Sequence, residues 1–443
     1  MSETLEISRS LEQSSTKGKV RHDKPRIVIV GGGFGGIAAA KALRHCDAEV
    51  VVIDRRNHHI FQPLLYQVAT AVLAPSEVAA PIRQLEAKQK NVSVLLAEVV
   101  GVDLGSRSVD ANCPGIGIKK IGFDYLVAAA GMQSSYFGHD EFAEYAPCLK
   151  TITDAETIRS KILSAYELAE STDDADERQR QMTFVLVGAG PTGVELAASV
   201  AQLATTTLRR NFRRINPAAT TIILLDGARR ILPSFAESLS KKAADRLAKL
   251  GVRVITGTMV ESIDARGVTV GGKLIPCGAV LWTAGVSPSP LVKMLGVATD
   301  RAGRARVGPS MSVPDTPGIF VVGDSATLMQ NGKPLPGVAQ VAIQQGRYVG
   351  RFISRELRGR KPPRPFRYFD KGNMAVVGKN FAIMETRHIR LAKFTAWCAW
   401  AFFHLLFLPQ LQNRLRVERQ WMWSYFTGQR SSRLVTEAPR FGK

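Results

Sequence analysis

A glycine-rich turn between a buried strand and a helix constrains this chain more than any other feature. The strand Ile27–Val30 leads directly into this turn, and an alanine-rich helix follows it. Read as G-x-G-x-x-G on Gly31, Gly33 and Gly36, the glycines allow a tight turn, close approach of a pyrophosphate and close packing of helix on strand. The turn therefore predicts a βαβ unit that binds a nucleotide, with the phosphates at the helix N-terminus.

An acidic residue at the end of the next strand strengthens this prediction. Val50–Ile53 reads as a second buried strand, and Asp54 ends it. In dinucleotide-binding folds an acid about 20 residues after the turn accepts a hydrogen bond from a ribose hydroxyl. Asp54 is therefore a predicted nucleotide-binding residue.

The same pattern occurs a second time in the chain. A buried strand precedes Gly188, Gly190 and Gly193, which repeat the spacing ahead of another helix. The following strand again ends in an acid, Asp226, although the basic stretch 207–216 lengthens the connection. Two such patterns predict two bound dinucleotides.

Each half of the chain also contains a strand that closes on a glycine. The strands that run into Gly131 and Gly285 end in small residues, which let the backbone approach a ligand closely. A further strand ends in Gly323 and Asp324, where a carboxylate could accept from a ribose or ribityl hydroxyl. Because Gly-Asp is a common strand end, Asp324 is a candidate nucleotide-binding residue only in combination with the two glycine-rich patterns that precede it.

Length, charge and cysteine content bound the class of protein. A chain of 443 residues exceeds the size of one hydrophobic core, so two or more domains are expected. The net charge of +21 suits nucleic acid, an anionic membrane surface or an acidic protein, but no nucleic-acid motif accompanies it. Five well-separated cysteines show no metal-ligand or C-x-x-C spacing, which predicts no metal site and a reducing compartment. They are Cys46, Cys113, Cys148, Cys277 and Cys398.

Two dinucleotide sites followed by a Gly-Asp strand end are the arrangement of two-dinucleotide flavoproteins. Here the chain resembles the type II NADH dehydrogenases, which are single-subunit NADH:quinone oxidoreductases. The resemblance spans nearly all of residues 25 to 430. It is carried by Gly31–Gly36, Phe61–Thr70, Gly188–Leu196, Thr316–Asp324, Ala339–Gly346, His404–Leu408 and Asn413–Arg414.

The resemblance implies an α/β fold with two Rossmann-like dinucleotide-binding domains and C-terminal helices that dock on a membrane. The FAD domain would be split by the NADH domain. The implied division is an FAD domain at 25–150 and 292–375, an NADH domain at 151–291, and a membrane-associating region at 376–443. Residues 1–24 are polar and mix acidic with basic side chains, so they are predicted to form a disordered tail.

The resemblance also assigns the cofactors to residues. It places FAD on Gly31, Gly33, Gly36, Asp54, Gly131 and Asp324. It places NADH on Gly188, Gly190, Gly193, Glu195 and Asp226. Asp226 would repel the 2′-phosphate of NADPH, although Arg229 and Arg230 could weaken that selectivity.

Three further side chains are predicted to serve catalysis. We expect Glu195 in the first turn of its helix, where the macrodipole stabilises a carboxylate, and the resemblance places it near the nicotinamide. Gln340 and Gln344 share one helical face and could donate to the two carbonyls of a flat, neutral ligand. The resemblance places these two glutamines near the flavin and the quinone. Without the resemblance, Glu195 would be only a charged residue near the N-terminus of its helix, and the glutamines would belong to a helix with no functional role.

The C-terminal region is apolar, aromatic and flanked by arginines. Phe394–Leu408 would form a helix of about 22 Å, which is too short for the roughly 30 Å of bilayer hydrocarbon. Leu411, Leu415, Met422 and Phe426 then form an apolar stripe, interrupted by Glu418. This pattern predicts a peripheral, monotopic anchor on the cytoplasmic face of the cell membrane; a homodimer or core contact is the alternative.

The predicted reaction passes a hydride from NADH to FAD and then reduces a membrane quinone, without proton pumping. A disulfide reductase would need a cysteine pair after the first glycine turn, and there is none. A sulfide:quinone oxidoreductase would need cysteines from two segments, and Cys148 has no counterpart in residues 300 to 397. A non-catalytic flavin-binding interaction protein remains the alternative of a different class.

Overall fold

The computed structural model describes residues 24–435, which form two compact units. Unit 1 takes the described chain up to His59, Pro81–Met132 and Pro288–Phe369. Unit 2 takes Ile60–Ala80, Gln133–Ser287 and the described chain from Asp370. All but the last residue of the predicted disordered tail lies outside the described residues. The domain boundaries derived from the sequence stay a prediction, because compactness does not show which nucleotide a unit binds.

The core of unit 1 contains a five-stranded parallel sheet. In spatial order its strands are Ile319–Val321, Tyr125–Ala128, Arg26–Val30, Glu49–Asp54 and Val92–Leu96. The central strands are nearly all Val and Ile and are buried, as parallel strands covered on both faces require. The first glycine turn leads from the carboxyl end of the sheet into the helix Phe34–Ala42.

Two helices of unit 1 approach each other closely because small residues meet at their contact. Ala339–Glu356 packs against Phe34–Ala42. A Cβ atom at Gly346 would lie 2.1 Å from the carbonyl oxygen of Gly35, and one at Gly350 would lie 2.7 Å from that of Ala39. Gly346, the last residue of the segment Ala339–Gly346 that contains Gln340 and Gln344, is therefore required for helix packing.

Unit 2 repeats this architecture around a four-stranded parallel sheet. In spatial order its strands are Val252–Thr256, Thr221–Asp226, Thr183–Val187 and Ala279–Trp282. Three helices pack on this sheet, Ile152–Ser171, Pro191–Gln202 and Glu237–Lys249. The predicted α/β class, with two Rossmann-like folds, is confirmed.

Each unit also contains a small antiparallel sheet. That of unit 1 consists of Glu98–Asp103, Ser108–Cys113 and Gly117–Gly122. That of unit 2 consists of Val260–Asp264, Gly267–Val270 and Lys273–Pro276. Short strands complete the chain at His58–Ile60, Ala79–Pro81, Met132–Ser134, Val286–Pro288, Ala305–Arg306, Ala326–Thr327, Met329–Gln330 and Lys333–Pro334. Short helices lie at Pro75–Val78, Ile82–Leu85, Asp140–Glu144, Leu203–Thr207, Pro217–Ala219, Leu291–Met294 and Gly323–Ser325.

The C-terminal part of unit 2 is a three-stranded antiparallel sheet followed by two helices. The strands are Asn373–Val376, Ala382–Glu385 and Arg390–Lys393, and the helices are Phe394–Phe407 and Leu411–Thr427. The first of these helices packs on the sheet through residues that include Ala396 and Trp400. Within residues 24–435, no helix is both long enough and apolar enough to cross a membrane.

Two segments of mixed polarity also form helices. The acidic stretch 171–180 contains the helix Ala175–Gln181, in which the carboxylate of Asp174 accepts from the N–H groups of Asp176 and Glu177. Residues 61–70 form the short helices Gln62–Leu64 and Leu65–Ala69, whose apolar side chains are mostly buried.

The helix contact predicts the sign of one substitution. In an open helix Gly→Ala stabilises by about 1 kcal/mol, but at Gly346 the new methyl group would collide with a backbone carbonyl. We expect Gly346→Ala to lower the free energy of unfolding by about 1–3 kcal/mol. Thermal unfolding measures the change, and Gly122→Ala, where the nearest atom lies at 4.0 Å, is the control. A stabilised Gly346→Ala protein would contradict the packing described.

Candidate functional site

The glycine turn of unit 1 contains two kinds of glycine. Gly31 has a φ of +110°, and its Cβ would lie 2.5 Å from the carbonyl oxygen of Ala129. A Cβ at Gly36 would lie 1.8 Å from the carbonyl oxygen of Gly31. Gly33 has an ordinary φ of −76° and no atom within 4 Å of a Cβ. The protein itself therefore requires the outer glycines, whereas Gly33 leaves space that a ligand can fill.

That space lies over the start of the helix Phe34–Ala42. No side chain caps the helix, and its first turn contains no acidic residue. An uncapped N-terminus offers backbone N–H donors and the positive end of the helix dipole. The site thus fits the pyrophosphate of a dinucleotide such as FAD.

Side chains hold the backbone of Gly32 on both sides. The carboxylate of Asp54 accepts from the Gly32 N–H at 2.6 Å and from the Arg56 N–H at 2.8 Å. The Nδ1 of His59 lies 3.0 Å from the carbonyl oxygen of Gly32 and must donate, because a carbonyl only accepts. Burial lowers the pKa of His59 to about 4, so the ring is neutral at pH 7. Sequence reasoning missed His59, for which the only signal is its place after the second strand.

Gly131 and Asp324 follow neighbouring strands of the unit 1 sheet. The carbonyl oxygen of Gly131 accepts from the hydroxyl of Ser325, the residue after Asp324. Gly323 has a φ of +76°, and its N–H donates to the buried side chain of Gln345 at 2.7 Å. The structure thus brings the two predicted residues together at the carboxyl edge of the sheet, and it adds Gln345, which sequence reasoning missed.

The predicted pair Gln340 and Gln344 lies on the helix Ala339–Glu356. The side-chain amide of Gln344 donates to the carbonyl oxygen of Phe369 at 2.9 Å and accepts from its N–H at 3.0 Å. Both ends of this amide are therefore bonded to the backbone. In the structure Gln344 ties the segment before Phe369 to the helix, and its role towards a quinone stays a prediction.

The glycine turn of unit 2 reproduces that of unit 1. Gly188 has a φ of +104°, and a Cβ at Gly193 would lie 1.8 Å from the carbonyl oxygen of Gly188. Gly190 again has no atom within 4 Å of a Cβ, and no side chain caps the following helix. Asp226 accepts from the N–H groups of Ala189 and Ala228. The second turn therefore fits a dinucleotide for the same reasons as the first.

The two arginines that follow Asp226 differ in their surroundings. The Arg230 guanidinium donates to the carbonyl oxygens of Pro233 and Phe235 and to the Ser240 hydroxyl, at 2.6–2.9 Å. These bonds hold it within the loop. Arg229 is exposed and is thus the arginine available near Asp226.

Glu195 is not in the first turn of its helix, and the expected stabilisation by the helix dipole is wrong. The helix begins at Pro191, so Glu195 lies in the second turn, where it is buried. Its Oε1 accepts from the Val376 N–H at 3.2 Å, and burial raises the pKa of the carboxyl to about 8. Glu195 is therefore mainly uncharged at pH 7.

Glu195 faces a cavity of about 150 Å³ in unit 2. Aromatic side chains form much of its wall, and Trp400 stacks on Trp421 with ring centroids 5.1 Å apart. The aromatic members are Tyr66, Trp397, Trp400, Trp421 and Tyr425. Lys379 and the buried Arg430 supply positive charge. Such a wall suits a flat, uncharged ring that carries hydrogen-bond acceptors.

The two C-terminal helices expose apolar side chains. In Leu411–Thr427, Asn413 and Val417 are buried, whereas Leu411 and Phe426 are 70% and 78% exposed. The other predicted stripe residues, Leu415 and Met422, are also exposed. The predicted stripe thus lies on the surface of unit 2, as a docking face must.

Comparison with known proteins places these features in a family. Residues 25–346 match the family described as pyridine nucleotide-disulphide oxidoreductase. Two Mycobacterium tuberculosis proteins named type II NADH:quinone oxidoreductase, Ndh and NdhA, are each 42% identical to the chain. The matches cover 94% of this chain and 92% of Ndh, and 93% of this chain and 89% of NdhA.

Solved structures agree on the fold. The structure of NDH2 from Plasmodium falciparum in complex with NADH superposes with a TM-score of 0.85 at 20% identity, over 92% of this chain and 99% of that one. The sulfide:quinone oxidoreductase of Aquifex aeolicus gives a TM-score of 0.69 at 19% identity, over 91% and 93%.

The buried carboxyl of Glu195 predicts a pH-dependent stability. Between about pH 4.5 and pH 8 the unfolded chain releases this proton while the folded protein keeps it, so the stability of the parent protein falls as pH rises through that window. Glu195→Gln removes this loss. We expect its advantage in unfolding free energy to grow by about 2–4 kcal/mol between pH 5 and pH 8.

Melting temperatures of both proteins across that pH range measure the effect. Glu418→Gln, at an exposed position, is the control and should follow the parent protein. A constant difference between Glu195→Gln and the parent protein would show that Glu195 is ionised in the folded state.

Proposed function

Because the chain belongs to the pyridine nucleotide-disulphide oxidoreductases and, among them, to the type II NADH:quinone oxidoreductases, we propose that it transfers electrons from NADH to a quinone. The overall reaction is NADH + H⁺ + quinone → NAD⁺ + quinol. The observation that carries this proposal is the pair of equivalent glycine turns within a chain that is 42% identical to named enzymes over nearly its whole length. FAD, when bound, supplies the redox chemistry by accepting two electrons and passing them on.

We assign FAD to unit 1 and NADH to unit 2. In unit 1 the supporting features are the space at Gly33, the uncapped helix, and the strand ends at Asp54, Gly131 and Asp324. In unit 2 they are the space at Gly190 and the carboxylate of Asp226. Asp226 has lone pairs left to accept from a ribose hydroxyl, and its charge repels a 2′-phosphate.

The aromatic cavity of unit 2 is the quinone site that we propose. A quinone ring is flat and uncharged, and its carbonyl oxygens accept hydrogen bonds, which matches the aromatic wall and its donors. Glu195 belongs to this cavity, so it acts on the quinone side of the reaction in this proposal. The assignment of Gln340 and Gln344 to the same substrate rests on the family resemblance alone.

We further propose that the protein is a peripheral membrane protein on the cytoplasmic face of the cell membrane. The exposed apolar residues of Phe394–Phe407 and Leu411–Thr427 would enter the acyl boundary, and neighbouring arginines would meet anionic head groups. The same face could instead join two copies of the chain into a dimer.

Anaerobic mixing tests the reaction in two steps. Flavin absorbance should bleach when NADH is added and return when menadione, a soluble naphthoquinone, follows. Asp226→Asn should slow the first step by about tenfold or more and narrow the preference for NADH over NADPH, because it removes the repulsive charge. Bleaching without return would point to the non-catalytic flavin protein, and an unchanged cofactor preference would remove Asp226 from the ribose site.

Vesicle flotation tests the membrane proposal. The parent protein should float with anionic vesicles at low salt, and Leu411→Gln with Phe426→Gln should reduce the bound fraction several-fold. The matched control is Ile116→Gln with Ile118→Gln, which changes two equally exposed apolar residues of unit 1. Failure of the parent protein to float would refute the anchor, and a concentration-dependent dimer would then assign the face to a second copy.

A further inference from the structure

Three side chains of unit 2 form a chain of hydrogen bonds whose direction is fixed by chemistry. The indole Nε1 of Trp421 donates to the Oε1 of Gln67 at 2.7 Å, because an indole N–H cannot accept. This bond fixes the orientation of the Gln67 amide. Its Nε2 therefore donates to the hydroxyl oxygen of Tyr66 at 2.9 Å.

The Tyr66 hydroxyl is left with a hydrogen that has no acceptor. Its oxygen accepts from Gln67, so its own O–H bond must point elsewhere, and no other partner exists among residues 24–435. Tyr66 is 5% exposed and lines the cavity together with Gln67. Burial raises the pKa of this phenol well above 10, so the hydrogen is present at every physiological pH. A buried donor without a partner is costly, which a ligand with an acceptor atom would relieve.

The rest of the cavity favours the same kind of ligand. The indole nitrogen of Trp400, also in the wall, is a buried donor without a partner among the described residues. The guanidinium of Arg430 donates to the carbonyl oxygens of Thr70 and Ser199 at 2.7 and 3.0 Å. Burial lowers the pKa of Arg430 to about 9, so it keeps its charge at pH 7. Positive charge and free donors together favour an oxygen that gains electron density during a reaction.

We propose that Tyr66 is a catalytic residue whose hydroxyl donates a hydrogen bond to a carbonyl oxygen of the quinone in this cavity. This inference rests on the proposed function, since it needs a quinone as the occupant. The bond strengthens as the carbonyl oxygen becomes more negative during reduction, so it aids electron transfer as well as binding. Trp421 and Gln67 act as positioning residues, because they keep the hydroxyl turned towards the cavity.

Tyr66→Phe removes the hydroxyl and keeps the ring. Equilibrium dialysis of the oxidised holoprotein would compare menadione with 2-methylnaphthalene, which has the same ring system and methyl group without carbonyls. We expect the dissociation constant of menadione to rise about five- to twentyfold and that of 2-methylnaphthalene to stay within about twofold. Equal weakening of both ligands, or no weakening of either, would overturn the proposal.

Gln67→Met provides a second variant that leaves Tyr66 in place. The thioether cannot donate to the Tyr66 hydroxyl, so the hydroxyl loses the bond that turns it towards the quinone. We expect this variant to weaken the binding of menadione in the same direction as Tyr66→Phe, by a smaller factor. The double variant should be no weaker than Tyr66→Phe alone, because both changes remove the same bond. Additive losses would show that Gln67 acts independently of Tyr66 and would refute the directional argument.

Turnover separates this inference from the function on which it depends. If the parent protein reduces menadione but Tyr66→Phe has the same kcat/KM and the same affinity, Tyr66 is not the donor and the proposed function stands. If the NADH-reduced parent protein neither binds nor reduces menadione, both the proposed function and the inference fail. A kcat loss in Tyr66→Phe larger than the KM change supports a bond that strengthens in the transition state.

Discussion

One aspartate at the end of the second strand organises each nucleotide fold. Its carboxylate accepts the N–H of the second residue in the glycine turn, Gly32 in unit 1 and Ala189 in unit 2. The carbonyl oxygen of that same residue is held by His59 Nδ1 in unit 1 and by the Leu232 N–H in unit 2. Because both backbone polar groups of this residue are hydrogen-bonded, the turn keeps the geometry that leaves space at its middle glycine. Loss of either aspartate would therefore disturb the phosphate site that we propose as well as the proposed ribose contact.

The carbonyl oxygens of Gly32 and Ala189 accept from different kinds of donor, a histidine ring in unit 1 and a backbone N–H in unit 2. A backbone N–H can never lose its hydrogen at physiological pH, and a neutral imidazole must place its single hydrogen on one of two nitrogens. Unit 1 therefore depends on one tautomer of His59, which the bond to Gly32 itself selects. The turn and the histidine stabilise each other.

The sequence predicts what is local and periodic, and it misses what only tertiary structure assembles. The predicted strands Ile27–Val30 and Val50–Ile53 lie within one residue of the observed bounds, Arg26–Val30 and Glu49–Asp54, because runs of β-branched and aliphatic residues ending in glycine or aspartate have few alternatives. The environment of Glu195 was missed, because its burial comes from segments more than a hundred residues away in sequence. The cavity likewise joins the neighbourhood of Tyr66 to that of Trp421, and no spacing rule connects them.

Interleaving of the two units limits the order in which the chain can fold during synthesis. Each unit is complete only when its third stretch has appeared, which begins at Pro288 in unit 1 and at Asp370 in unit 2. The buried Arg430 donates to Thr70 and Ser199, residues that leave the ribosome long before it does. These carbonyl oxygens therefore lack their partner until residue 430 has been synthesised. The part of the cavity wall that Arg430 forms is thus completed only after both apolar C-terminal helices have been made.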